Sequence, residues 1–155
     1  MSILFQPMVL GQTEIKNRFV CSATSESMAT ERGEVTEALV RRYRNLAEGG
    51  VGLIITGHMY VHPLGRGMRY QTGIHDDGMI AGLKRLVDAV HQEGGRIAFQ
   101  LSHAGRQTKK AVIGRTPLGP SAKGRDPTYF VKPVTMNEEQ ITVAIQAFGR
   151  RLDEP

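Results

Sequence analysis

A single cysteine, Cys21, stands in 155 residues, so no internal disulfide can form; this agrees with a reducing compartment. No apolar run approaches the roughly 20 residues that a membrane helix needs. The N-terminus, MSILFQPMVLGQTEIK, lacks a basic stretch followed by a long apolar one and so does not read as a secretory signal. A cytoplasmic chain is the expectation. The formal charge of +5 comes without a long basic run and without the interleaved aromatics that stack bases. Its Lys and Arg are spread out, with small groups at Arg41-Arg42, Arg66/Arg69, Lys109-Lys110 and Arg150-Arg151. Neither nucleic acid nor a membrane is expected as a partner. His58, His62, His75 and His103 show no diagnostic metal spacing and no cysteine joins them, so no metal site is expected.

What is present is periodicity. Phe19-Val20-Cys21, Val51 to Ile55 and Ile97 to Leu101 are short apolar runs that read as strands buried on both faces. Between the first two, Leu39, Val40, Tyr43, Leu46 and Ala47 recur at helical spacing, with Thr36 as N-cap and Gly49-Gly50 as stop. Ile80, Leu83, Leu86, Val87 and Val90 repeat the logic before Gly94-Gly95. Asp76-Asp77 ahead of this helix suit its N-terminal dipole. A long loop containing Gly and Pro follows the third strand. Asn137-Glu138-Glu139-Gln140 then supplies a capping box for a third helix carrying Ile141, Ala144, Ile145 and Phe148. The order is the βαβ pattern of a parallel α/β protein. Ahead of it, Met8-Val9-Leu10 and Glu14-Ile15, separated by Gly11-Gln12-Thr13, read as a hairpin suited to capping the lower end of a barrel.

The chemistry at the strand ends distinguishes a barrel from a doubly wound sheet. A dinucleotide-binding turn needs G-x-G-x-x-G after the first strand, but Ser22-Ala23-Thr24-Ser25 contains no glycine. Polar side chains collect instead just past each strand: Ser22, Thr24 and Ser25; Thr56 and His58; Gln100, Ser102, His103 and Arg106. In a (β/α) barrel that rim is where active sites are built. Cys21, inside an apolar strand, reads as inert core.

The stretches NRFVCSATS, GVGLIITGH, FQLSHAGRQ, GPSA and MNEEQI, in that order, resemble the NADH:flavin oxidoreductase/old yellow enzyme family over residues 3 to 149. The resemblance implies a flavoprotein (β/α)₈ barrel carrying FMN, which NADH or NADPH reduces and an activated alkene, quinone or related small-molecule acceptor oxidises. It implies that Gln100 faces the pyrimidine edge of the flavin, where an amide offers both donor and acceptor. Ser22, Ala23 and Thr24 match the segment whose backbone runs along the ring. Ser25 stands where relatives carry Thr or Cys, a position that tunes the flavin and so acts in catalysis. His58 matches a position that is often small in relatives; it either contacts the flavin or packs at the rim. Ser27 replaces a tyrosine of some relatives, which removes that residue's substrate-side role. The proton-relay pair belongs to a fourth strand that this chain does not contain, and Arg106 is expected to anchor a loop or a subunit contact.

A complete barrel takes roughly 250 residues, with its phosphate site after strands seven and eight. Residues 1–155 are therefore expected to be one partial FMN-binding TIM-barrel domain, the N-terminal portion with its hairpin cap, truncated after about three βα units. The alternative is a non-catalytic half-barrel that persists by associating with another chain or with itself through the open barrel edge.

Overall fold

The computed structural model describes residues 2–149. A hairpin opens the chain, with β1 (Met8–Leu10) antiparallel to β2 (Thr13–Ile15) and Leu10 paired to Thr13. Then come β3 (Val20–Cys21), α1 (Glu37–Glu48) and β4 (Leu53–Ile55), followed by α2 (Ile80–Gln92) after an intervening β5 (Met59–Tyr60). Next is β6 (Arg96–Ala98), and β3, β4 and β6 form one parallel sheet in the order β3-β4-β6. The helical connection between each neighbouring pair is the expected βαβ arrangement.

Both helices form where the periodicity places them. The Thr36 side chain accepts the Leu39 N–H at 3.2 Å, which caps α1. Its end is set by Gly50, whose φ of +91° is a left-handed conformation that side chains resist. Leu39, Tyr43 and Ala47 from α1 meet Leu86 and Val90 from α2 over Ile54 of β4, each essentially inaccessible to solvent. Burying a side chain of this size contributes about 1.5–3 kcal/mol.

The expectation of strands buried on both faces is corrected. Ile54 is fully buried, but Val20 is 47% exposed and Ala98 is exposed. Ile54 points at the helices, with Cys21 and Ile97 packed against the same core. Alternate residues point to the opposite face, where Leu53 and Ile55 are half-buried while Val20 and Ala98 are exposed.

The hairpin lies at the N-terminal ends of the barrel strands, where Leu10 and Thr13 to Ile15 share a cleft with Leu53 and Arg96. Directly after it, the Lys16 ammonium donates to Ala47 O at 3.1 Å and to Glu93 O at 3.2 Å. One cation thus meets the terminal carbonyls of both helices.

The single strand expected over Ile97 to Leu101 is split, with β6 ending at Ala98 and Leu101 joining a second ladder. β7 (Leu101–Ser102) pairs in parallel with β5. A single turn, α3 (Lys110–Ile113), precedes β8 (Leu118–Gly119), and β8 pairs in parallel with β9 (Val134–Thr135). α4 (Glu138–Gly149) starts with the expected reciprocal cap: Gln140 N–H donates to Asn137 Oδ1 at 2.8 Å and Asn137 N–H to Gln140 Oε1 at 3.0 Å. Its apolar stripe is not buried, with Ile141 43% and Ile145 67% exposed.

Candidate active site

Parallel register brings the polar residues to one end. Cys21, Ile54 and Ile97 are in line across the sheet, so Ser22 to Ser25, Thr56 to His58 and Gln100 follow at the C-terminal ends of neighbouring strands. Ser22, Thr24, Ser25 and Gln100 are exposed, while Ala23 and His58 are half-buried. The structure therefore places the six residues expected to hold the ring together at the C-terminal ends of neighbouring strands.

The rim is held from behind. Thr56, with no exposed surface, accepts the Gln100 N–H on its hydroxyl at 3.3 Å, and Gln100 O accepts the Met59 N–H at 2.7 Å. Gln100 thus has its backbone pinned and its side chain free. On the neighbouring strand the Tyr43 hydroxyl of α1 donates to Glu26 Oε1. The Gly57 N–H donates to the same carboxylate oxygen at 3.1 Å and to the Tyr43 hydroxyl oxygen at 3.0 Å. Burial, with the Glu26 carboxylate adding to it, drives the Tyr43 phenol far above its ordinary range, so it acts as a neutral donor. Gly57 is obligatory here, because a Cβ would lie 2.6 Å from Thr24 O and would also strike the Glu26 carboxylate. The chain after β3 can run this close to β4 only across a glycine.

Ser25 faces a neighbour that the sequence did not suggest. Its hydroxyl donates to Met68 Sδ at 3.0 Å, and Ser27, in a left-handed conformation at φ 49°, reaches the same sulfur at 3.2 Å. Met68 lies on the long excursion between β5 and α2. It also lines a cavity of about 370 Å³ with His58, Gly67, Ser102, His103 and Tyr129.

The histidines are divided among separate environments. His75 stacks on Tyr60 with ring centroids 4.7 Å apart, and His62 stacks on His103 at 6.4 Å. His62 Nδ1 accepts the Leu64 N–H at 3.2 Å and His103 Nδ1 accepts the Gly105 N–H at 3.1 Å. Burial lowers the pKa of both, and the charge of His62 lowers that of His103 further. No group of three or more His, Cys, Asp or Glu among the described residues could hold a metal ion. Arg106 Nε lies 4.0 Å from Asp126 Oδ2, and Asp126 is buried within the loop that leads to β9. Asp126 also accepts the Thr128 and Tyr129 N–H groups, and nothing in its local sequence announced that role. No helix among the described residues is long and apolar enough to cross a membrane.

Known proteins resemble this chain in sequence and fold. The chain is 37% identical to a metal reductase of Desulforamulus reducens over 97% of its own length and 22% of the relative's. It is 36% identical to an NADPH dehydrogenase of Halalkalibacterium halodurans over 94% and 42% respectively. It superposes on an old yellow enzyme homologue from Zymomonas mobilis with TM-score 0.85 and 27% identity, covering 95% of this chain and 43% of that one. Morphinone reductase in complex with tetrahydroNAD gives TM-score 0.85 at 27% identity, covering 99% and 47%. The chain thus spans less than half the length of each of these relatives, and its strands and helices form part of a barrel of the old yellow enzyme type. With the family pattern matched over residues 3–151, the chain belongs to the NADH:flavin oxidoreductase / NADH oxidase family.

Proposed function

We propose that residues 1–155 form the flavin-ring portion of an FMN-dependent oxidoreductase, which passes hydride from NADH or NADPH through FMN to an activated alkene or similar small-molecule acceptor in a cytoplasmic setting. The observation that carries this reading is the gathering of Ser22 to Ser25, His58 and Gln100 on one edge of three adjacent parallel strands. The residues present suit an isoalloxazine. Gln100 offers an amide to a ring edge that presents N–H beside a carbonyl, its backbone already held by Thr56. The extended segment Ser22 to Thr24 offers backbone and a small Ala23 to a flat ring, and Ser25 offers a hydroxyl. FMN supplies the hydride acceptor and donor chemistry when bound; the side chains here bind the ring, orient it and favour charge on it.

A partner role is proposed alongside. The exposed stripe of α4 and the outer flanks of β3 and β6, unpaired among the described residues, favour association with another copy or another chain.

Flavin titration of the chain tests the reading. Because the rim addresses the ring and the barrel's phosphate site belongs to later strands, FMN and riboflavin should bind with Kd values within about threefold of each other. Gln100→Ala should weaken both by about 1.5 kcal/mol, roughly tenfold. A flavin spectrum unchanged up to about 1 mM protein would defeat the proposal, since that concentration corresponds to only about 4 kcal/mol of binding.

A further inference from the structure

Gln71 is 2% exposed and lies in the chain leading to α2, packed against His58 just ahead of β5 and Ser102 of β7. Its side-chain amide bridges Gly67 to His58 and, at 3.4 Å, to Ser102 Oγ. Nε2 donates to His58 O at 2.9 Å and approaches His58 Nδ1 at 2.7 Å, while Oε1 accepts the Gly67 N–H at 2.7 Å. The amide orientation is settled by backbone groups. Reversing it would set oxygen against the His58 carbonyl and NH₂ against the Gly67 N–H. With Nε2 carrying the hydrogens, His58 Nδ1 must accept. Ser102 Oγ lies 3.4 Å from that nitrogen, but its hydroxyl has a nearer acceptor in Met59 O at 3.2 Å. An imidazole that accepts at Nδ1 carries its proton on Nε2 when neutral. That second nitrogen belongs to a half-buried ring on the cavity shared with Met68 and Tyr129.

We infer that Gln71 is a positioning residue: it fixes His58 as the Nε2–H tautomer and so turns this rim position into a hydrogen-bond donor for a carbonyl or ring-nitrogen acceptor in the adjoining cavity. The acceptor's identity rests on the flavin reading above; the tautomer does not. Buried at 2% exposure, Gln71 works through the ring it orients.

The test is a long-range ¹H–¹⁵N correlation spectrum of the ¹⁵N-labelled full chain with the ring neutral. His58 should show a pyridine-type Nδ1 and a pyrrole-type Nε2 as a single tautomer. Gln71→Glu replaces the donor with an acceptor-only carboxylate and should move the proton to Nδ1. A purely structural Gln71 would leave the tautomer unchanged in any variant whose dispersed amide spectrum shows it folded. Wild type alone can overturn the inference, by showing a proton on Nδ1 or an unfixed mixture. So can a folded Gln71→Glu with the wild-type pattern. Added FMN should shift His58 Nε2 and the Gln100 side-chain amide together. A shift at Gln100 alone would remove the donor role of His58. A shift at neither, with the tautomer as assigned, would count against the flavin reading and leave Gln71 as described.

Discussion

Tyr43 is a core residue with a rim task. Its ring packs with Leu39 and Leu86, while its hydroxyl ties Glu26 to Gly57 across the start of the site. Tyr43→Phe keeps the packing and removes the tie, so it should cost about 1.5–3 kcal/mol, the range for a hydrogen bond to a charged group. Urea denaturation would measure this, and a loss below about 0.5 kcal/mol would show that the direct Gly57–Glu26 bond suffices. Ser25 gives a second prediction. In the FMN-loaded protein its hydroxyl must leave Met68 Sδ to reach charge that builds on the reduced ring. Ser25→Ala should then lower the two-electron potential by about 30–60 mV, the equivalent of one such bond. A change of a few millivolts in a spectroelectrochemical titration would leave the hydroxyl with Met68. The rim residues were legible because each follows a strand end or carries a family motif. Glu26, Met68 and Gln71 were not, since their partners lie 31, 43 and 13 residues away, where no local pattern reaches.

Helices were more legible than strands, and burial explains the difference. The stripes of α1 and α2 face each other and the sheet, so a periodicity of 3.6 reports their contacts directly. The barrel strands contribute only two or three residues of ladder each, and the side chains on the face turned away from the helices range from half-buried to exposed. Apolar runs could not reveal which face that was. The two-residue pairs β5–β7 and β8–β9 are too short to leave any periodicity. The segments between elements carry a pH response. In the fold, His62 and His103 have lowered pKa values and accept backbone N–H groups, so they bind a proton less readily than the unfolded chain, whose histidines titrate near 6.5. Their contribution to stability is whole above about pH 6.5 and is lost as pH falls through the lower folded values. Urea midpoints should therefore decline on acidification through that window. His62→Asn with His103→Asn, which keeps a side-chain acceptor for each N–H and removes the titrating group, should flatten the decline. An unchanged slope in the double variant would assign the effect elsewhere.

For the molecule as a whole, the distribution of exposed apolar surface is uneven. Val20, Ile141, Val143 and Ile145 are all 40% exposed or more. The outer flanks of β3 and β6 have no strand partner among the described residues. Dimers or larger assemblies are expected in light scattering, and Ile141→Lys with Ile145→Lys should shift the distribution to smaller species. A stable monomer at the same concentrations would refute this. At the opposite end Lys16 and the hairpin hold the helix ends against the strands, away from the residues assigned to the ring. Stability and chemistry are therefore addressable separately. Lys16→Met would be expected to loosen the two helix ends while leaving Gln100, His58 and Ser25 in register, whereas the rim could be rewritten, residue for residue, on an undisturbed base. For an engineer the hairpin end is a fixture and the strand tips are the replaceable tool.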